Sequence, residues 1–316
     1  MAAWLRRRSG APVYDQAFGD RGLAECRQDM VMGRWEGARD LLAEHPRDDW
    51  DRRAHRIRLL ADAAASSRTV DVWHAAEPAN PDAAVLRAET EVMRMFAAAR
   101  GGAMPPRDGL DQVARTCLRA CDLAPGDPHP YVSLVALGRL YEGGDPNIAH
   151  WWRELWARDP HHREGHHQML RYFSAGWHGS HGESYNFAWD VAVYAPAGSP
   201  LAVLPQVARA EQYRYESEAK GRTAVGLATL WSGERARWDL RTALDKWIAK
   251  RTRPYAQDVT DLNYLAHGLV HGGMEAESAE VFTLLDNRAT RIPWSHSGDP
   301  ETLFSRWRDR ALGASR

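Results

Sequence analysis

Cysteine is nearly absent from this chain, and so is lysine. The cysteines are three, Cys26, Cys117 and Cys121. An odd number with no Cys-x-x-Cys spacing argues against a disulfide framework and against a thiolate zinc site. Cys117 and Cys121 stand one helical turn apart on a face shared with Val113 and Leu118, where thiols act as small core residues. Only Lys220, Lys246 and Lys250 are lysines, so 38 of the 41 basic residues are arginine, a bias that reads as GC-rich bacterial coding. No window approaches the roughly 18 uninterrupted apolar residues of a membrane span. Residues 1–8 are charged with no apolar run behind them, so no signal peptide is expected there. At a net charge of -1, no global field draws nucleic acid or an anionic membrane. A soluble, cytoplasmic chain is expected.

Strand alternation is missing as well, and no Gly-rich phosphate loop follows a strand, which removes the usual nucleotide-binding folds. A 3.6-residue period fills the chain instead. Ile148, Trp152 and Leu155 form one stripe with Trp151 and Trp156 at its borders. Leu240, Leu244, Trp247 and Ile248 form another, closed by Lys250-Arg-Thr-Arg253 as the last turn of a helix. Pro46, Pro81, Pro128, Pro160 and Pro200 separate the periodic stretches at intervals of 35, 47, 32 and 40 residues. Proline stops one helix and suits the first position of the next. The longest interval holds the loop sequence Gly101-Gly-Ala-Met-Pro-Pro106.

The periodic stretches carry a recurring signature. Leu134, Leu137, Gly138 and Tyr141 form one half of it, and Gly33, Trp35, Ala38 and Leu42 the other. Leu262, Leu265, Ala266, Leu269, Gly273, Ser278 and Phe282 span a whole unit. Gly176, Ala188 and Pro200 mark a fourth. In these residues, over about half its length, the chain resembles the tetratricopeptide-repeat family. That resemblance implies an all-α superhelix of stacked αα-hairpins, here a single helical repeat domain over residues 15–316 behind an N-terminal arm, residues 1–14. It also implies that Gly138 lies where two helices approach closely. A second element, Trp177-His178-Gly179-Ser180 followed by Phe187-Ala188, is similar to a Trp-Gly-Gly-Ser…Phe-Ala element of a bacterial family of repeat-like helical proteins of unknown function. His178 stands here for the first Gly.

Two constellations bear on function. Seven of the 14 histidines fall between positions 150 and 181. His162, His166, His178 and His181 are the candidate metal ligands, because neutral imidazoles four apart project from one side of a helix. The acid is misplaced for His-Glu-x-x-His, and the rings equally suit the end of a packed stripe with Met169, Leu170 and Phe173. The preferred expectation is therefore no metal and no cofactor. Ser180 and Glu183 have capping-box spacing, which places Ser180 at the start of a helix and not in catalysis.

The repeat resemblance implies a concave groove lined by Arg27, Arg139, Trp177, His181, Asn263, His267 and His271. The function expected from it is a protein-interaction module holding a peptide or protein partner in that groove. The competing class is an enzyme or a ligand- or metal-binding protein using segment 150–181; a deep pocket would favour it. The basic runs Arg6-Arg7-Arg8 and Arg52-Arg53-x-x-Arg56-x-Arg58 lack any nucleic-acid signature, and Asp48, Asp49, Asp51 and Asp62 stand beside the second. Neither nucleic acid nor membrane is an expected partner.

Overall fold

The computed structural model describes residues 10–44, 49–102, 104–222 and 226–314. Arg6-Arg7-Arg8, Pro46, Asp48 and most of the expected arm lie outside the described residues. Helices make up the described structure, which contains no strand and one isolated β-bridge. No described helix is long and apolar enough to cross a membrane.

The chain divides into two compact units. The N-terminal unit holds residues 19–191 with 255–257, and the C-terminal unit holds 1–18, 192–254 and 258–316. The first contains α1 (Arg21–Val31), α2 (Glu36–Ala43), α3 (Trp50–Ala64), α4 (Thr69–Ala76) and α5 (Pro81–Arg100). It continues with α6 (Arg107–Leu123), α7 (His129–Leu137), α8 (Ile148–Arg158), α9 (Arg163–Tyr172) and most of α10 (His181–Tyr194). The second contains α11 (Leu204–Lys220), α12 (Thr229–Ser232), α13 (Glu234–Lys246) and α14 (Asp258–His271). It ends with α15 (Glu275–Leu285), α16 (Trp294–Ser297) and α17 (Pro300–Ala314).

Local chemistry sets the helix starts. Asp20 caps α1 by accepting from the Leu23 amide at 3.1 Å. Asn80 caps α5 by accepting from Asp82 and Ala83, with Pro81 as the first helical residue. Gly33 and Gly273, both at positive φ, turn the chain between α1 and α2 and between α14 and α15. Each of these pairs packs as a hairpin. Ala38 and Leu42 are buried in the first, and Leu265, Leu269 and Phe282 in the second.

Every residue of α7 is buried, and α5, α6, α8 and α9 surround it. That fits a sequence apolar on all faces. The helix ends where the chain tightens into a 3-10 turn, Gly138–Leu140, so Arg139 emerges from the middle of the unit and not from its surface.

Four expectations need correction. On α8 it is Trp151 that joins Leu155 in the core, while Trp152 is half-buried and Ile148 stands at the border. On α6 Cys117, Cys121 and Val113 are buried as expected, but Leu118 faces solvent. The run at 250–253 is not the last turn of an α-helix, because α13 stops at Lys246. The Lys246 ammonium turns instead to the carbonyls of Ala192, at 2.8 Å, and Val193. Residues 10–14 are not a free arm either: Val13 exchanges backbone hydrogen bonds with Asn287 and Ala289 at 2.7 and 2.9 Å.

Candidate ligand cavity

The strongest site lies in the N-terminal unit, around Arg139. Its guanidinium packs against the Phe96 ring, 4.6 Å away, and the Trp177 ring, 5.2 Å away. The two rings meet edge to face at 5.9 Å. Phe96 comes from α5, whose long exposed C-terminal half carries it past the end of α7. Trp177 comes from the turn between α9 and α10. His178 pins that turn, its Nε2 lying 3.0 Å from the Arg139 carbonyl. Gly179 has no room for a side chain, since a Cβ there would meet the Phe173 carbonyl oxygen at 2.3 Å. Ser180 then accepts from the Glu183 amide at 3.2 Å and donates to its carboxylate at 2.8 Å, starting α10 as its spacing predicts.

These residues border a half-open cavity of about 560 Å³. Val92, Met93, Phe96 and Met104 supply apolar wall; Arg58, Glu89, Gln168 and Arg171 supply polar floor. The floor is an ion-pair network. Arg58 bridges Glu89 at 3.0 Å and Glu164 at 3.3 Å, and Arg171 lies 3.8 Å from Glu164. Burial alone would raise the Glu89 carboxyl, but Arg58, His129 and the Ser133 hydroxyl hold it down at about 2. Glu164 is held well below the usual carboxylate range against the same burial, by Arg58, Arg171 and Arg163. Both stay ionised at neutral pH.

Arg139 differs from these arginines. It is 9% exposed, and its Nε donates only to the Ala136 carbonyl at 3.3 Å. It makes no ion pair among the described residues. Burial, aided by the charges of Arg171 and Arg58, lowers its pKa to about 9. The guanidinium is charged, desolvated and without a counter-ion.

The expected groove set is only partly assembled. Arg139 and Trp177 come together; His181, half-buried, opens α10 in the same unit. Arg27 is half-exposed on α1, 4.0 Å from Asp62. Asn263, His267 and His271 belong to the C-terminal unit. Asn263 and His267 are 0% exposed, which removes them from any surface. Asn263 is consumed by the Val259 carbonyl and the Trp294 indole, and His267 by the Ser297 hydroxyl. Helix α14 is covered on all sides by α11, α12, α13 and α15, so the face assigned to the groove is core. His271 is half-buried against His267, ring centroids 4.3 Å apart.

The candidate metal ligands are likewise dispersed. His162 caps α9, its Nδ1 accepting from the Gly165 amide at 3.0 Å. The His166 ring packs in a cluster with Phe187 and Trp152, its Nδ1 2.9 Å from the His162 carbonyl. Burial lowers His162 to about 3 and His166 to about 4, and His167 well below its ordinary value. Among the described residues no three His, Cys, Asp or Glu side chains are grouped to hold a metal ion.

The sequence reading missed Phe96, Arg58, Glu89 and Arg171. Arg58 belongs to a run with aspartates beside it in sequence, and among the described residues Arg52 pairs with such a neighbour, Asp49. Arg53 pairs with Asp82 and Asp127, Arg56 with Asp20, and Arg58 with Glu89 and Glu164. Glu89 shares its stretch of α5 with Arg87 and Glu91, so no local signal marked it as the buried carboxylate that a cation must match. No protein-family model matches the chain, and no curated protein or solved structure matches it.

Proposed function

We propose that this chain is a binding module whose ligand occupies the cavity beside Arg139. One observation carries the reading: a nine-tenths buried guanidinium, packed against two rings and lacking any carboxylate among the described residues, faces a cavity. An unmatched buried charge is costly, and a bound anion offsets the cost. The cavity volume is that of small-molecule sites, with apolar walls and a few convergent polar groups. Gln168, Arg171 and Trp177 bring segment 150–181 into it, as the ligand-binding alternative requires. Hairpins α1/α2 and α14/α15, with glycine turns, support an architecture of the tetratricopeptide-repeat kind.

The test uses anilinonaphthalene sulfonate, an anionic apolar dye. Saturable binding at one site is expected, and Ala97→Trp, which fills the cavity from an exposed position of α5, should abolish it without changing the melting temperature. Absence of saturable binding, or binding indifferent to Ala97→Trp, overturns the reading. The peptide-groove reading is favoured by one observation, the 38% exposure of Trp177 at the cavity edge. It is supported if a partner protein is captured, if Trp177→Ala releases it, and if the dye finds no site.

A further inference from the structure

We propose that the ligand of this cavity is a monocarboxylic acid with an apolar body, its carboxylate paired with the Arg139 guanidinium. The inference rests on the cavity reading and adds the chemical class of the occupant.

The donors of Arg139 have different uses. Phe96 and Trp177, edge to face with each other, pack against the guanidinium from adjacent directions. Nε is spent on the Ala136 carbonyl. The terminal Nη1 and Nη2 have no hydrogen-bond or ion-pair partner among the described residues. A guanidinium with these donors free presents the fork that a planar carboxylate fits with two parallel hydrogen bonds. The two rings packed against it limit the rotational freedom that such a pair would otherwise lose on forming.

Pairing at the cavity calls for one carboxylate. Arg58, Arg163 and Arg171 all lie beside Glu89 or Glu164, whereas the buried Arg139 has no carboxylate among the described residues. Glu89 is fully buried and ionised, so a dianionic phosphate entering the cavity would meet a fixed negative charge at its floor. A monocarboxylate supplies the partner that Arg139 lacks and brings no second charge against Glu89. The wall decides the rest. Val92 and Met93 line the side of α5 beside Phe96, and Met104 is exposed at the rim. Apolar surface there is left with water unless the ligand has a hydrocarbon part. A free acid whose carboxylate and hydrocarbon are a few bonds apart satisfies both walls at once.

Titration calorimetry with hexanoate, phenylacetate, acetate, hexanamide and inorganic phosphate tests this, alongside displacement of the dye. Hexanoate or phenylacetate should bind at least about tenfold more tightly than acetate, as several buried methylenes imply. Either should also exceed hexanamide and phosphate by a similar factor. Arg139→Met should weaken the acids about tenfold or more while leaving hexanamide unchanged. Ala97→Trp should block all of them. Equal binding of hexanoate and hexanamide, stronger binding of phosphate, unaltered affinity in Arg139→Met, or no binding of either apolar acid overturns the proposal. If the dye still binds in an Ala97-dependent way, those outcomes remove the carboxylate and leave the cavity reading standing. If the dye finds no such site, the cavity reading itself fails.

Discussion

Arg139 and Arg209 are both more than nine-tenths buried, one in each unit of the molecule, and they are treated differently. Arg209 on α11 pairs with Asp239 on α13, itself buried, and also donates to Gln206 at 3.4 Å. Arg139 has two aromatic neighbours and no carboxylate among the described residues. In the C-terminal unit the Asn263 carbonyl accepts from Trp294 and His267 Nε2 meets the Ser297 hydroxyl, beside a ring cluster that includes Phe282 and Phe304. The network of the N-terminal unit leaves one buried guanidinium without a carboxylate at the edge of a cavity. Structure alone explains the first arrangement. The second is stable at lower cost with something bound, and that contrast separates a packed polar core from a binding site.

The largest expected effect comes from the two tryptophans that represent these arrangements. Trp294 is 0% exposed, and Trp294→Ala should cost about 3–5 kcal/mol, the loss typical of a deleted buried aromatic. Trp177 keeps over a third of its surface in water, so Trp177→Ala should cost only about 1–2 kcal/mol through lost burial and lost stacking on Arg139. Urea unfolding of both variants measures the gap. Equal losses would mean that Trp177 serves the core as Trp294 does.

The arginine contrast is tested next. Asp239→Asn leaves the Arg209 charge buried without its partner and should cost about 3–5 kcal/mol. Arg139→Met has no partner to orphan; it removes a desolvation penalty together with a cation–π contact, so its effect should stay within about 1 kcal/mol of zero. A large loss on Arg139→Met would show that the guanidinium already has its compensation inside the protein. Binding would then be the wrong explanation for it.

Those outcomes bear on how far the sequence could be read. Helix starts were legible because their signals are local: Asn80-Pro81 opens α5, and Ser180 with Glu183 opens α10. Arg139 and Trp177 were both expected on one face, and the structure brings the two side chains together. Asn263 and His267 fell on the same face by register, and the packing of α11, α12 and α13 over α14 made that face core. Nothing near α14 in sequence announces those helices as its cover. Glu89 and Arg58 are 31 residues apart, beyond any helical spacing, so the floor of the cavity is invisible until α3 and α5 are packed. On α8 the apolar stripe was read one residue off, because Trp151 and Trp152 are adjacent and equally apolar. Only the neighbours decide which one is covered.

Acid should act on both units through their buried histidines. Burial lowers His166 and His271 to about 4, so at neutral pH each is folded as the uncharged ring. The unfolded chain takes up a proton near 6.5, and the folded chain does not until about 4. Stability from each ring is therefore complete above 6.5 and is lost as pH falls from 6.5 toward 4, by about 3 kcal/mol at most. Glu89, held at about 2, stays charged through this window. Denaturant unfolding between pH 7 and 5 should show falling stability, and His166→Phe, which keeps the ring stack on Phe187, should flatten the fall. An unchanged slope would mean that His166 is protonated in the folded state.

Gly138 offers a smaller effect confined to the N-terminal unit. A Cβ there would lie 3.0 Å from Ile148 Cδ1, so the turn after α7 approaches α8 closely at this point. Gly138→Leu should overpack the contact and cost about 1–3 kcal/mol. Because Arg139 is the next residue, the same variant should displace the guanidinium from its two rings and weaken the dye. Loss of stability with unchanged dye affinity would show that the guanidinium is placed by Phe96 and Trp177 and not by the turn.

The smallest effect separates the turn that carries Trp177 from the helix that follows it. Ser180 caps α10 through the Glu183 amide and also donates to the Glu183 carboxylate. Both groups are solvent-exposed, so their loss is cushioned by water, and Ser180→Ala should cost about 0.5–2 kcal/mol, the range of a lost cap. The position of Trp177 does not depend on that cap. It is fixed by the backbone bond from its own amide to the Ser174 carbonyl at 2.9 Å, and by the His178 ring at the Arg139 carbonyl. Ser180→Ala should therefore lower the melting temperature slightly and leave dye affinity unchanged, whereas His178→Ala should weaken the dye by releasing the turn. If the two variants weaken the dye equally, the turn and α10 move as one piece, and the helix start belongs to the site.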